Sequence, residues 1–120
     1  MTPNIWGATG IWIGAAGSHD WEDTAQWSSG TTGTTNNVDS AVFNSTPGDS
    51  WIDTPENLNL QKFIFQPGAG NYTFGIGEAN ANPPIRLSND GHVEIQAGYT
   101  GARITFDVPI HLYGNATFEN

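Results

Sequence analysis

Leu58-Asn59-Leu60-Gln61-Lys62-Phe63-Ile64-Phe65, followed by Pro67-Gly68-Ala69-Gly70-Asn71 and then Tyr72-Thr73-Phe74-Gly75-Ile76, is the stretch that decides the fold class. Two short runs rich in aromatic and β-branched residues flank a segment that joins φ-restricting Pro to residues tolerant of positive φ. That is strand, turn, strand. The same grammar spreads outward in both directions. Predicted strands lie at 40–44, 50–53, 58–65, 72–76, 85–87, 92–96, 103–108, 110–112 and 116–118. Asn80-Ala81-Asn82-Pro83-Pro84, Asn89-Asp90-Gly91 and Gly98-Tyr99-Thr100-Gly101 punctuate them. Before residue 40, Ile5-Trp6-Gly7 and Ile11-Trp12-Ile13-Gly14 read as two further short strands. The best helical candidate, residues 20–27, is short and runs into Ser28-Ser29-Gly30, so the chain reads as all-β.

Composition agrees with many turns and a core of few, large side chains. Among 120 residues there are 15 Gly, five Trp and six Phe, and the apolar fraction is 37%. Three basic residues, Lys62, Arg86 and Arg103, stand against twelve acidic ones, for a formal net charge of −9. Three scattered cations cannot displace the counterions of nucleic acid or dock on anionic lipid, which excludes both as partners. There is no cysteine, hence no disulfide, thiolate metal site or Cys nucleophile. No run approaches the ~18 apolar residues of a membrane helix, so direct membrane insertion is not expected. An acidic, Lys-poor chain rich in Asn, Thr, Ser and Gly suits an exported bacterial surface protein. No basic, then apolar, leader precedes Thr2-Pro3-Asn4, so any signal peptide lies outside this chain.

The apolar pairs recur. Ile85/Leu87 returns as Ile104/Phe106, Val93/Ile95 as Ile110/Leu112, and Phe63/Phe65 precedes Ile85/Leu87 by a similar interval. A period near 20 residues with two strands per repeat is what a coiled β-solenoid produces, since each rung buries its face only against its neighbours. A β-sandwich of seven to nine short strands gives nearly the same spacing.

Trp12-Ile13-Gly14, Asp20-Trp21-Glu22-Asp23, Ala25-Gln26-Trp27-Ser28 and Val38-Asp39-Ser40-Ala41-Val42-Phe43, in that order, resemble the N-terminal stretch of autotransporter-like passenger proteins with β-strand repeats. There a Trp-x-Gly, a lone Trp and an Asn-Trp precede a Gly-Asp-x-Ala-x-Phe strand. The likeness runs from about Ile11 to Asn120, with two departures. Gln26 stands where Asn is usual, and Asn36-Asn37-Val38 replaces the common Pro and Gly ahead of Asp39. The resemblance implies a right-handed parallel β-helix, exported and displayed, without catalytic residues or cofactor. Residues 1–39 would then be a Trp-rich N-terminal cap and connector, and 40–120 the first rungs.

Several side chains merit a site reading. Trp12, Trp21 and Trp27 are expected to plug the open end of the first rung, because an uncovered rung exposes apolar side chains and unpaired backbone. Trp6 and Trp51 are the candidates for stacking a ligand such as a sugar ring. Asp20, Glu22, Asp23 and Asp39 are the calcium candidates, although no EF-hand loop or Gly-Gly-x-Gly-x-Asp repeat occurs, and a turn-capping role fits them better. Ser18-His19-Asp20 contains the residue types of a hydrolase triad, but consecutive residues do not converge as a triad must. His92 and His111 have no second ligand at metal spacing. The sequence therefore predicts a non-enzymatic structural or adhesive module, with a carbohydrate-binding β-sandwich as the alternative. Ala116-Thr117-Phe118-Glu119-Asn120 reads as an open strand, whose expected partners are further rungs or another copy of the chain. Glycans or a host surface are the remaining expected partners.

Overall fold

The computed structural model describes residues 9–28, 39–44, 48–55, 58–75, 85–98 and 103–119. Ten strands occupy these segments: β1 (Thr9–Trp12), β2 (Gly17–Asp20), β3 (Ser40–Phe43), β4 (Asp49–Asp53), β5 (Asn59–Phe65), β6 (Asn71–Phe74), β7 (Ile85–Ile95), β8 (Ile104–Phe106), β9 (Ile110–Leu112) and β10 (Ala116–Glu119). They form two sheets. The first runs β1-β3-β5-β7-β10, with β9 also paired to β7, and the second runs β2-β4-β6-β8. Consecutive strands from β1 to β8 thus alternate between the sheets, so each parallel neighbour is reached through a strand of the opposite sheet. All ladders are parallel. A β-sandwich expects antiparallel neighbours. The one antiparallel contact among the described residues is an isolated bridge between Trp12 and Trp27.

Parallel register stacks like on like and makes the core. Trp12, Phe43, Phe65 and Ile95 are successive partners in one inward column of the first sheet, and Ala41, Phe63, Val93 and Phe118 in the next. His19, Ile52, Phe74 and Phe106 form the facing column of the second sheet. The rings meet across and along these columns: Phe43 stacks on Phe65 at 5.2 Å, Phe74 on Phe106 at 5.1 Å, and Phe43 meets Phe74 edge-on at 5.2 Å. Each such pair adds about 0.5–1.5 kcal/mol beyond its area burial. Alternation does the rest. In β4, Ser50 and Ile52 are buried while Asp49, Trp51 and Asp53 are exposed.

Gly75 shows how tightly the sheets are connected at one corner. Its φ is +84°, and a Cβ there would lie 2.0 Å from Val108 Cγ1, so no larger residue fits.

Several sequence expectations need correction. The true register offsets are wider and less regular than 20 residues. Thr9 faces Ser40, 31 residues on; Ser40 faces Lys62, 22 on; Gly91 faces Ala116, 25 on. Ile104 and Phe106 align with Tyr72 and Phe74 in the second sheet, not with Ile85 and Leu87, whose partners are Ile110 and Leu112. Val93 aligns with Phe118 rather than with Ile110. Connecting segments of unequal length shift the repeat, so equal spacing equated residues from different sheets.

The strands predicted at 85–87 and 92–96 are one strand, β7, with a register shift opposite Leu60/Lys62. Asn89-Asp90-Gly91 is an irregularity within it, where Asp90 takes φ 61°. The helical candidate at 20–27 reduces to a 3-10 turn at Thr24–Gln26. Within residues 1–39, β1 and β2 are the first members of the two sheets. The expected strand at Ile5-Trp6-Gly7 and residues 29–37 of the connector lie outside the described residues. Among the described residues, no helix is long and apolar enough to cross a membrane.

Candidate functional site

Trp12, Trp21 and Trp27 come from three different local structures and meet at the β1/β2 end of the sheets. Trp12 ends β1, Trp21 follows β2, and Trp27 closes the 3-10 turn. Their relative exposures are 0%, 0% and 2%, so none of the three presents an open ring face to solvent. Trp27 lies 4.7 Å from Trp21 and 5.2 Å from Trp12, ring to ring, both edge-on. Its Nε1–H donates to the Trp21 carbonyl at 2.7 Å. Trp21 reaches inward to Phe43, Phe63 and Phe74 at 5.9–6.3 Å.

Backbone pairing accompanies the rings. Ile13 N–H donates to Gln26 O at 2.8 Å, and Ser28 N–H to Ile11 O at 2.9 Å. Residues 26–28 thereby cover the outer edge of β1 as well as its apolar face. The Trp-x-Gly spacing also acquires a cause: a Cβ on Gly14 would sit 2.7 Å from the six-membered ring of Trp12, which folds back over it.

The acidic residues near this cluster serve the turn. Asp20 Oδ1 accepts from Glu22 N–H at 2.8 Å. Asp23 caps the 3-10 turn, accepting from Ala25 N–H at 3.1 Å and from Gln26 Nε2 at 2.9 Å. The Gln26 hydrogen bond, then that of Ala25, holds the Asp23 carboxyl below its ordinary range, with His19 adding a smaller push in the same direction. Asp39 is buried, and its carbonyl accepts from the N–H groups of Gln61 and Lys62. No three of the calcium candidates Asp20, Glu22, Asp23 and Asp39 bring ligand atoms together.

Ser18, His19 and Asp20 lie along β2, with Ser18 and Asp20 exposed on one face and His19 turned to the other. His19 donates from Nε2 to Ala15 O at 2.7 Å and packs edge-on against Trp12 at 5.7 Å. It belongs to the tryptophan cluster, a role its sequence neighbours give no hint of.

His92 does have neighbours of ligand type. His92, Glu94 and Glu119 each place one ligand atom within 4.8 Å of the others, and His92 Nε2 lies 3.4 Å from Glu119 Oε2. Glu119 is far off in sequence, and only the β7/β10 register brings it there. Glu94 and Glu119 are direct register partners.

Trp51 stands on the outer face of β4, 40% exposed. Trp6 lies outside the described residues. Comparison with protein families, with curated proteins and with solved structures finds no match to this chain.

Proposed function

We propose that this chain is the opening portion of a right-handed parallel β-helix, a non-enzymatic structural module of an exported bacterial surface protein. In this reading Trp12, Trp21 and Trp27 form the cap of the first rung. The single observation that carries it is a gradient of burial along the stacked columns. Leu60 and Leu87 are fully buried, yet Leu112, next in the same column, is 50% exposed. Phe63 and Val93 are buried, while Phe118, their successor, is 57% exposed. One end is sealed by indoles and by backbone pairing. At the other, inward-register side chains and the strand edges of β8 and β10 face solvent among the described residues. Further parallel strands, from the same protein or from a second copy, would cover them. The right hand of the coil rests on the strong bias of parallel crossovers.

Sedimentation velocity across a concentration series tests the open edge. Association that rises with concentration and is suppressed by Phe118→Lys is the expected result. A monodisperse monomer at every concentration, with the β10 amides protected from exchange, would refute the reading.

A further inference from the structure

Four of the five exposed large apolar side chains have a ready account. Leu112 and Phe118 lie in the uncovered last strands, Tyr113 directly follows β9, and Ile13 lies just beyond β1. Trp51 differs. It sits on β4, an interior strand with β2 on one side and β6 on the other, so no missing neighbour explains its exposure. Its register partners on the flanking strands are Ser18 and Thr73, and Thr105 follows on β8. These side chains are short, so the indole projects beyond its neighbours in that row.

Beside it runs a groove of about 420 Å³, lined by Asp49, Ser50, Trp51, Asn71, Thr73, Arg103 and Thr105. That volume falls within the roughly 300–1,000 Å³ of small-molecule sites. The polar rim is fixed in place. Asn71 Nδ2 donates to Asp49 Oδ1 at 2.6 Å, and Asn71 Oδ1 accepts from Arg103 N–H at 2.9 Å. The second carboxylate oxygen of Asp49 and the guanidinium of Arg103 make no hydrogen bond or ion pair among the described residues.

The geometry points to a binding site for a neutral, β-1,4-linked gluco- or xylo-configured oligosaccharide on the outer face of the second sheet. A pyranose with equatorial hydroxyls has two flat C–H faces, one of which can lie on the indole, and a rim of groups that both donate and accept. Asp49 supplies an acceptor, Arg103 donors, and the Thr73 and Thr105 hydroxyls either. Linear β-1,4 chains are flat ribbons and suit a ledge crossing several strands better than a closed cavity would. Charge selects against the alternatives that also stack. The groove carries one anion and one cation, Asp49 and Arg103, and so offers no excess positive charge to a polyanion. Nucleic acid or a polyuronate must also approach a chain of net charge −9. Trp51 and Asp49 project from the outer face of β4, opposite the buried Ser50 and Ile52, and Arg103 and Thr105 carry the site to β8 at the edge of the sheet.

Isothermal titration of the intact chain with cellohexaose, xylohexaose and hexagalacturonate tests the assignment. Saturable binding of at least one neutral probe, tighter than that of the acidic one, is expected. Trp51→Ala should weaken it on the order of tenfold or more, as loss of one stacking platform does. Thr73→Arg keeps the indole but obstructs its face, and should give a similar loss with an unchanged far-ultraviolet circular dichroism spectrum. Failure of both neutral probes at millimolar concentration, preference for hexagalacturonate, or undiminished binding by either variant would overturn the proposal.

Discussion

Trp21 and Trp27 are equally buried but differ in what their indole nitrogens do. Trp27 Nε1 donates to the Trp21 carbonyl, whereas Trp21 Nε1 is buried with no partner among the described residues, as is Trp12 Nε1. Replacing either ring by Phe removes similar volume. Only at Trp27 does it also break a buried hydrogen bond, which costs about 1–3 kcal/mol when one partner is left unsatisfied. Trp27→Phe is therefore expected to destabilise more than Trp21→Phe, by about 1 kcal/mol or more in urea unfolding. Equal losses would mean that the hydrogen bond contributes nothing net. That these tryptophans pack together was legible in their number and order. Which of them stays wet was legible only in part. Alternation in Asp49-Ser50-Trp51-Ile52-Asp53 turns Trp51 outward, but its groove partners Thr73 and Arg103 lie 22 or more residues away and join it only through the parallel register.

At the scale of elements, strands rich in β-branched and aromatic residues announced themselves, while β2 did not. Its sequence, Gly17-Ser18-His19-Asp20, turns only Gly17 and His19 toward the core side and so carries no apolar alternation to read. The 3-10 turn after it was equally obscure, because three residues give no helical period. Beside its backbone hydrogen bonds it is capped by Asp23, whose ionised form accepts two hydrogen bonds and is held below the ordinary carboxyl range. With its folded pKa depressed, Asp23 favours the fold at pH above its unfolded value, and that contribution is lost as pH falls through the folded one. The turn positions Trp27, so near-ultraviolet circular dichroism should report a reversible loosening in acid, below the ordinary carboxyl range. Asp23→Asn keeps an acceptor for Ala25 N–H but cannot titrate, so its profile should lack that component. Superimposable profiles for the two proteins would show that Asp23 does not control the turn.

Across the whole molecule, order of strands in each sheet follows order in the chain, so each strand leans on the one before it and the one after. Cohesion in such an arrangement is local and nearly one-dimensional. It need not be uniform. Around β3, β5 and β6 the core is aromatic on both sheets, with Phe43, Phe63, Phe65, Tyr72 and Phe74 at 0–1% exposure. Toward β8, β9 and β10 the same columns carry half-buried Ile104, Phe106 and Ile110, then exposed Leu112 and Phe118. A fully buried Phe or Leu contributes about 1.5–3 kcal/mol over an exposed one, so the last strands forgo several such contributions. Their opening should therefore be local and cheaper than global unfolding. Hydrogen exchange on the isolated chain is expected to show the slowest amides in β3, β5 and β6 and markedly faster exchange in β9 and β10. The Trp27-paired edge of β1 should stay closer to the slow class, because Ile13 and Ser28 are bonded across it and the indoles exclude water. Phe118→Ala should then barely alter the global unfolding midpoint, since the side chain is already mostly in water, whereas Phe63→Ala should cost about 3–5 kcal/mol. Protection that is even from β1 to β10 would mean that the two ends are equally sealed, and the asymmetry between them would carry no energetic weight.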